Sequence, residues 1–274
     1  MKYKIKRLDF NIAYACNLSC KGCISLSDLN RKGVESLSSI EQQCKEWSHI
    51  LSPKIISIFG GEPLLHPKLL DVLKLIRIYW PRSTIRLITN GYFLKNYNPM
   101  DWFTFSNFEM QISIHRKDHE KILTNEIQKI LKCKNNWKVY KDKNSKHIDI
   151  GFVYKDFKIY KSRFKNFVIP YKFENENILP FRSDPIKSHS ICGSPDTPIL
   201  YKNKVYKCAP IANILDIVNN KKNYNYQGIK STEDLKDFID NINKPEKICA
   251  MCPESTKHSI DHFKKENVYV KDLD

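Results

Sequence analysis

The stretch FNIAYACNLSCKGCISLSD, residues 10–28, decides the reading of this chain, because it gathers Cys16, Cys20 and Cys23 in one loop. The residues before it, IKRLDFNIA (5–13), alternate as a strand does and run straight into that loop. The chain has 274 residues and nine cysteines, a length that allows one large α/β domain with a small appendage. MKYKIKRLDF lacks a signal-type apolar run, and no later stretch reaches eighteen uninterrupted apolar residues. A soluble cytoplasmic protein is therefore expected. In a reducing compartment an odd, clustered set of cysteines points to metal or redox chemistry rather than disulfides.

Downstream, short β-rich runs alternate with helical patterns. Residues 38–51 read as a helix with a Ser38/Glu41 capping box and Ile40, Cys44, Trp47 and Leu51 on one face. Residues 54–59 read as a buried strand ending at Gly60-Gly61, followed by a helix that starts at Pro67. Strands at 83–89 and 108–114, a helix at 118–133 and a strand at 147–154 continue the pattern. Such alternation predicts right-handed βαβ units and a parallel sheet, open or curled into a barrel. In these folds ligands bind beyond the carboxyl ends of the strands. The cysteine loop, Gly60-Gly61-Glu62-Pro63, Thr89-Asn90-Gly91 and Ser113 with His115 all fall at such ends. Cys44 reads as core, and Cys133 as a structural residue at the far end of its helix.

A cubane iron–sulfur cluster has four irons, so three closely spaced thiolates leave one iron open to another ligand. At this point the sequence resembles the radical S-adenosylmethionine (SAM) superfamily, through CNLSCKGC together with FGGEPLLHP. The resemblance implies that Cys16, Cys20 and Cys23 hold a [4Fe-4S] cluster whose open iron is chelated by S-adenosylmethionine. It implies that Gly60, Gly61, Glu62 and Pro63 bind the methionine amino group, with Thr89, Asn90, Gly91 and Ser113 at ribose- and methionine-contacting positions. Reductive cleavage of the cofactor then gives a 5'-deoxyadenosyl radical that abstracts hydrogen from substrate. Many members place an aromatic residue before the third cysteine; here it is Gly22.

Cys192, Cys208, Cys249 and Cys252 form a second set. GSPDTPILYKNKVYK, between the first two, reads as a hairpin with Asn203-Lys204 at its tip. The set resembles the first half of a SPASM domain, shortened to the twitch arrangement with one auxiliary [4Fe-4S] cluster. The next expected cysteine positions are His258 and His262, which share a helical face and read as polar surface. The implied fold is a partial (β/α)6 TIM-type barrel with a small C-terminal twitch/SPASM-like extension of β-hairpin plus helix. Expected divisions are a core over 1–155, a bridging segment over 156–189 and the auxiliary domain over 190–274. Phe157, Tyr160, Phe164 and Phe167 recur at helical spacing, so the bridging segment is expected to be a helix covering the barrel.

The layout is similar to that of the radical SAM dehydrogenase of the 2-deoxystreptamine pathway. It implies a two-electron oxidation of a small polar substrate that is sugar-, aminocyclitol- or nucleotide-like. A flavodoxin- or ferredoxin-type electron donor is implied as well. Radical epimerisation would need a hydrogen donor, and Cys44 and Cys133 alone remain outside the two sets. Peptide maturation is a further rival, and no space for a leader-binding domain is expected before Cys16. His115 and Arg116 are candidates for binding the cofactor carboxylate or for substrate deprotonation. The formal net charge of +16 suits an acidic partner such as nucleic acid, but the lysines are dispersed as on a solvated face. The alternative of another class is a zinc-stabilised, basic nucleic-acid-binding module that pairs Cys20/Cys23 with Cys249/Cys252. It leaves Cys16 idle and GGEP unexplained.

Overall fold

The computed structural model describes residues 2–141, 147–164, 166–174, 176–261 and 263–271. His262 lies outside the described residues. The strands are β1 (Tyr3–Ala13), β2 (Leu18–Cys20), β3 (Leu51–Gly60), β4 (Thr84–Thr89) and β5 (Phe108–Ser113). They continue as β6 (Lys138–Lys141), β7 (Ile148–Tyr154), β8 (Phe157–Ser162), β9 (Asn166–Val168), β10 (Lys172–Glu174) and β11 (Asn177–Leu179). The last four are β12 (Ile199–Tyr201), β13 (Lys204–Tyr206), β14 (Ser259–Asp261) and β15 (Val268–Val270). Helices are α1 (Leu37–Trp47), α2 (Leu69–Tyr79), α3 (Glu120–Lys132), α4 (Pro185–Ser190), α5 (Ala209–Ile217) and α6 (Lys236–Asp240).

One sheet runs in the order β13-β12-β1-β3-β4-β5-β8-β7-β6. Its middle, from β12 to β8, is parallel. This is the α/β architecture of a partial TIM-type barrel. Strand residues alternate between two faces, as the two-residue period of a strand requires. Leu8, Phe10, Ile56, Ile58, Ile85, Leu87, Phe108, Met110, Phe157 and Ile159 pack with Ile40, Trp47, Leu73, Ile76 and Ile127 of α1–α3. Each such side chain contributes about 1.5–3 kcal/mol on burial. The other face is polar. Asp9, Ser57, Arg86, Glu109 and Lys158 stand in register across five adjacent strands.

Several sequence-based expectations need correction. The segment 157–162 is a strand, not a covering helix: Lys155 takes a left-handed conformation, and the two-residue turn pairs Tyr154 with Phe157. Consequently β7, expected among the parallel strands, runs antiparallel to β8. Helix α1 is capped by Ser36, whose side chain accepts from Ser39 N at 3.2 Å, because Ser36 is the last extended residue. Ser38 and Glu41 lie inside the helix, and Leu51 begins β3 instead of completing the helical face.

The expected hairpin is present with its tip one residue earlier, at Lys202-Asn203, both left-handed. It does not stand apart: β12 pairs in parallel with β1, Asp9 opposite Ile199, so the sheet crosses the expected division at residue 190. Asn203 fixes it to α1, accepting from Trp47 Nε1 at 3.1 Å and donating to Glu46 at 2.7 Å. Cys44 is fully buried in the core, and Cys133 caps the end of α3.

Candidate functional site

The cysteine loop leaves β1 at the carboxyl ends of the parallel strands. Cys16 and Cys20 are buried, and with Cys23 and Tyr92 they pack about Leu18 and Val268. Within the loop, Cys23 N donates to Cys20 O at 3.1 Å and Leu18 N to Cys16 Sγ at 3.4 Å. Strand β15 pairs antiparallel with β2, Val268 opposite Cys20, and straps the loop from outside. Lys21 N donates to Asn267 O at 2.9 Å and Lys271 N to Asn17 O at 2.7 Å. Gly22 takes a left-handed conformation that a larger residue would strain, and a Cβ there would lie 3.3 Å from Ile169.

Gly60 ends β3, and Gly61 to Pro63 after it press against the segment that enters the loop. Gly61 N donates to Ala13 O at 2.7 Å and Glu62 N to Ala15 O at 2.8 Å. Glu62, 1 % exposed, accepts from Leu64 N at 2.9 Å, Thr89 Oγ1 at 2.5 Å and Asn90 N at 2.8 Å. Its carboxylate ties the ends of β3 and β4 together. Burial pushes its pKa up to about 7, against the three donors, which pull the other way. Asn90 in turn donates to Asn17 Oδ1 at 2.8 Å, which joins the same strand end to the cysteine loop. Gly91 N donates to Thr89 Oγ1 at 2.9 Å, and Ser113 is buried at the end of β5. Thus the triad, Gly60–Pro63 and Thr89–Gly91 form one hydrogen-bonded unit.

His115 lies edge-on to Phe167 with centroids 6.1 Å apart. Arg116 forms an ion pair with Asp118 and donates to Val268 O at 3.2 Å, so its guanidinium serves the β15 strap.

The second cysteine set also converges. Cys192 follows α4, Cys208 precedes α5, Cys249 lies within a tight 3-10 turn at Lys247–Met251, and Cys252 caps that turn. All four line one cavity of about 140 Å³, together with His189, Lys207, Asp9 and Ile24. Ser188 Oγ donates to Cys252 O at 3.0 Å and Ser183 N to Ala250 O at 3.0 Å, which joins α4 to the turn. Burial pushes the Cys16 and Cys208 thiols up to about 12, and neighbouring thiols add to the rise. Cys20 and Cys252 are raised for the same reasons. Metal binding at either set must therefore displace protons.

Among the described residues, no three Cys, His, Asp or Glu side chains surround a point fit for a single metal ion. A zinc knuckle needs four thiolates at about 2.3 Å from one ion, whereas a cubane takes one thiolate on each of its irons. The two CxxC pairs also belong to different groups, Cys20/Cys23 with Cys16 and Cys249/Cys252 with Cys192 and Cys208. In chemistry and in grouping the donors fit a three-thiolate and a four-thiolate cluster. His258 is exposed and lies edge-on to Phe181 at 4.8 Å, away from the four-cysteine cavity.

Several residues of the site were not read from the sequence. Asn213 of α5, fully buried, donates to Ile24 O at 3.1 Å and Ala209 O at 2.9 Å and accepts from Asn11 at 3.3 Å and from Arg31. It links the loop bearing Cys23 to the helix that begins after Cys208. Arg31 donates also to Tyr201 Oη at 2.6 Å and pairs with Asp216 at 2.7 Å. Asp9, buried beside Arg7 at 2.7 Å, belongs both to the polar row and to the cavity wall. His189 carried one local signal, its place three residues before Cys192, within the range of metal-site spacings.

The three-thiolate loop thus stands at the carboxyl ends of the parallel strands of the barrel sheet. Residues 10–141 match the Radical SAM superfamily, and this part of the chain is a radical SAM domain. That domain implies S-adenosylmethionine and one [4Fe-4S] cluster as cofactors. A GTP 3',8-cyclase of Campylobacter jejuni subsp. doylei is 29% identical over 123 residues, 44% of this chain and 38% of that protein. The GTP 3',8-cyclase of Nautilia profundicola is 29% identical over 96 residues, 34% of this chain and 30% of that protein. The match thus spans well under half the length of these relatives. Among solved structures, BtrN in complex with AdoMet and 2-DOIA superposes with a TM-score of 0.51 at 14% identity. That likeness covers 92% of this chain and 94% of BtrN and speaks for the fold alone. Among the described residues, no helix is long and apolar enough to cross a membrane.

Proposed function

We propose that this radical SAM enzyme carries out a two-electron oxidation of a small polar substrate. In this reading Cys192, Cys208, Cys249 and Cys252 hold an auxiliary [4Fe-4S] cluster. The observation that carries it is Asp9, which stands in the polar row of the sheet and also lines the cavity of the four cysteines. Bound at the two thiol sets, the clusters and S-adenosylmethionine supply hydrogen-atom abstraction and an electron sink.

The chain's own residues orient and deprotonate. Arg86 pairs with Glu109 at 2.8 Å, Lys158 with Glu109 at 3.2 Å, and Tyr160 donates to Gln111 at 3.3 Å, giving a face rich in donors and acceptors. Such a face suits hydroxyl and amino groups. Asp9 is the group we assign to take the substrate proton, on its place between the polar row and the four-cysteine cavity; burial raises its pKa, while Arg7 opposes the rise. Oxidation is favoured over epimerisation because Cys44 is sealed in the core and Cys133 caps α3. A flavodoxin- or ferredoxin-type donor completes the proposal; the net charge of +16 would attract an acidic carrier.

A second reading is a nucleotide substrate, supported by the partial likeness to GTP 3',8-cyclases. One experiment separates the two. The anaerobically reconstituted full chain, given dithionite, S-adenosylmethionine and a panel of aminocyclitols, amino sugars and GTP, is analysed by mass spectrometry. The expected product is two mass units lighter than its parent, with one 5'-deoxyadenosine formed per turnover. Rearrangement of GTP at unchanged mass would replace oxidation by the nucleotide reading.

A further inference from the structure

His189 stands on α4 and lines the four-cysteine cavity. Its Nε2 is shielded from solvent and meets no hydrogen-bond partner. A buried polar atom left in that state is costly, and folded proteins rarely leave one without a counterpart. Besides the backbone carbonyl of Pro195, the neighbours of the ring are Lys207 and Glu246, which are already engaged with each other at 3.3 Å. Lys207, 3 % exposed, also donates to Ile242 O at 2.6 Å and Lys244 O at 2.8 Å. The counterpart is then to be sought within the cavity, among groups that accept a hydrogen bond. Four thiolates complete the four irons of a cubane, so the ring is an outer partner and not a ligand.

We propose that His189 Nε2 donates a hydrogen bond to a sulfur of the auxiliary cluster, as a positioning residue that raises its reduction potential. The inference rests on the four-cysteine cluster proposed above. A hydrogen bond to sulfur stabilises the more negative, reduced state, and the potential rises accordingly. An easily reduced cluster is the better electron sink for substrate oxidation.

The test uses the full chain with Cys16, Cys20 and Cys23 all replaced by alanine, so that only the auxiliary centre reports. Iron is counted first; absence of iron would remove the auxiliary cluster and this proposal with it. Redox titration followed by electron paramagnetic resonance should give His189→Phe a midpoint more negative than its parent. His189→Gln, which keeps an N–H donor, should fall nearer the parent. Full iron with an unmoved midpoint in His189→Phe would overturn the proposal alone. A measurement independent of substitution is pulsed resonance on the reduced parent labelled with 15N-histidine. Weak nitrogen coupling is expected; no coupling, or coupling of the strength of a bound ligand, would overturn the hydrogen bond.

Discussion

Gly61→Val should cost about 4 kcal/mol of folding stability and abolish iron binding at the Cys16/Cys20/Cys23 loop. A Cβ at position 61 would lie 2.1 Å from Ala15 O and 2.7 Å from Tyr14 O, so the backbone must move. Movement breaks the bonds from Gly61 N to Ala13 O and from Glu62 N to Ala15 O. It also draws Glu62 away from Leu64, Thr89 and Asn90, leaving buried polar groups without partners. The segment entering Cys16 is then released from β3 and β4 together. Urea unfolding of the metal-free chain and an iron count on the loaded one check both parts. Wild-type values for Gly61→Val would mean that the Gly60–Pro63 turn does not shape the cysteine loop.

Asn213→Leu is expected to cost about 3 kcal/mol and to loosen the join between the two thiol sets. Leucine is close in size, so the loss is one of polar pairing and not of volume. Ile24 O loses its donor, and Asn11 and Arg31 lose their shared acceptor in a wholly buried place. Arg31 keeps Tyr201 and Asp216, which limits the damage to the centre of the network. Faster amide hydrogen exchange over residues 23–26, with a lowered unfolding midpoint, is the predicted signature. Unchanged exchange there would show that Ile24 is held by other contacts.

The part of this molecule that was legible in the sequence is the part built from local signals. The cysteine triad, Gly60–Pro63, Thr89–Gly91 and the strands β1, β3, β4 and β5 each carry their own punctuation, and the chain order alone implies a shared end of the sheet. What escaped notice depends on contacts distant in sequence. FKIYKS at β8 fits both a two-residue and a helical period, and only the left-handed Lys155 and the partner strand β7 decide it. Ser36 and Ser38 are equally good capping residues by type; the extended backbone at Ser36 makes the choice. The pairing of Asp9 with Ile199 joins strands far apart in the chain, so no local pattern could place β12 in the main sheet. The same holds for the site. Asp9 and Asn213 read as ordinary polar residues until tertiary structure brings them to the thiols.

The proposed function requires two cubane clusters, one on three cysteines and one on four. Iron, acid-labile sulfide and zinc per chain after anaerobic preparation test it most directly, in the wild type and in the triple variant of Cys16, Cys20 and Cys23 to alanine. About eight irons, falling to about four in the triple variant, is the predicted result. About four irons in the wild type and none in the triple variant would remove the auxiliary cluster, and zinc without iron would contradict the account at its root.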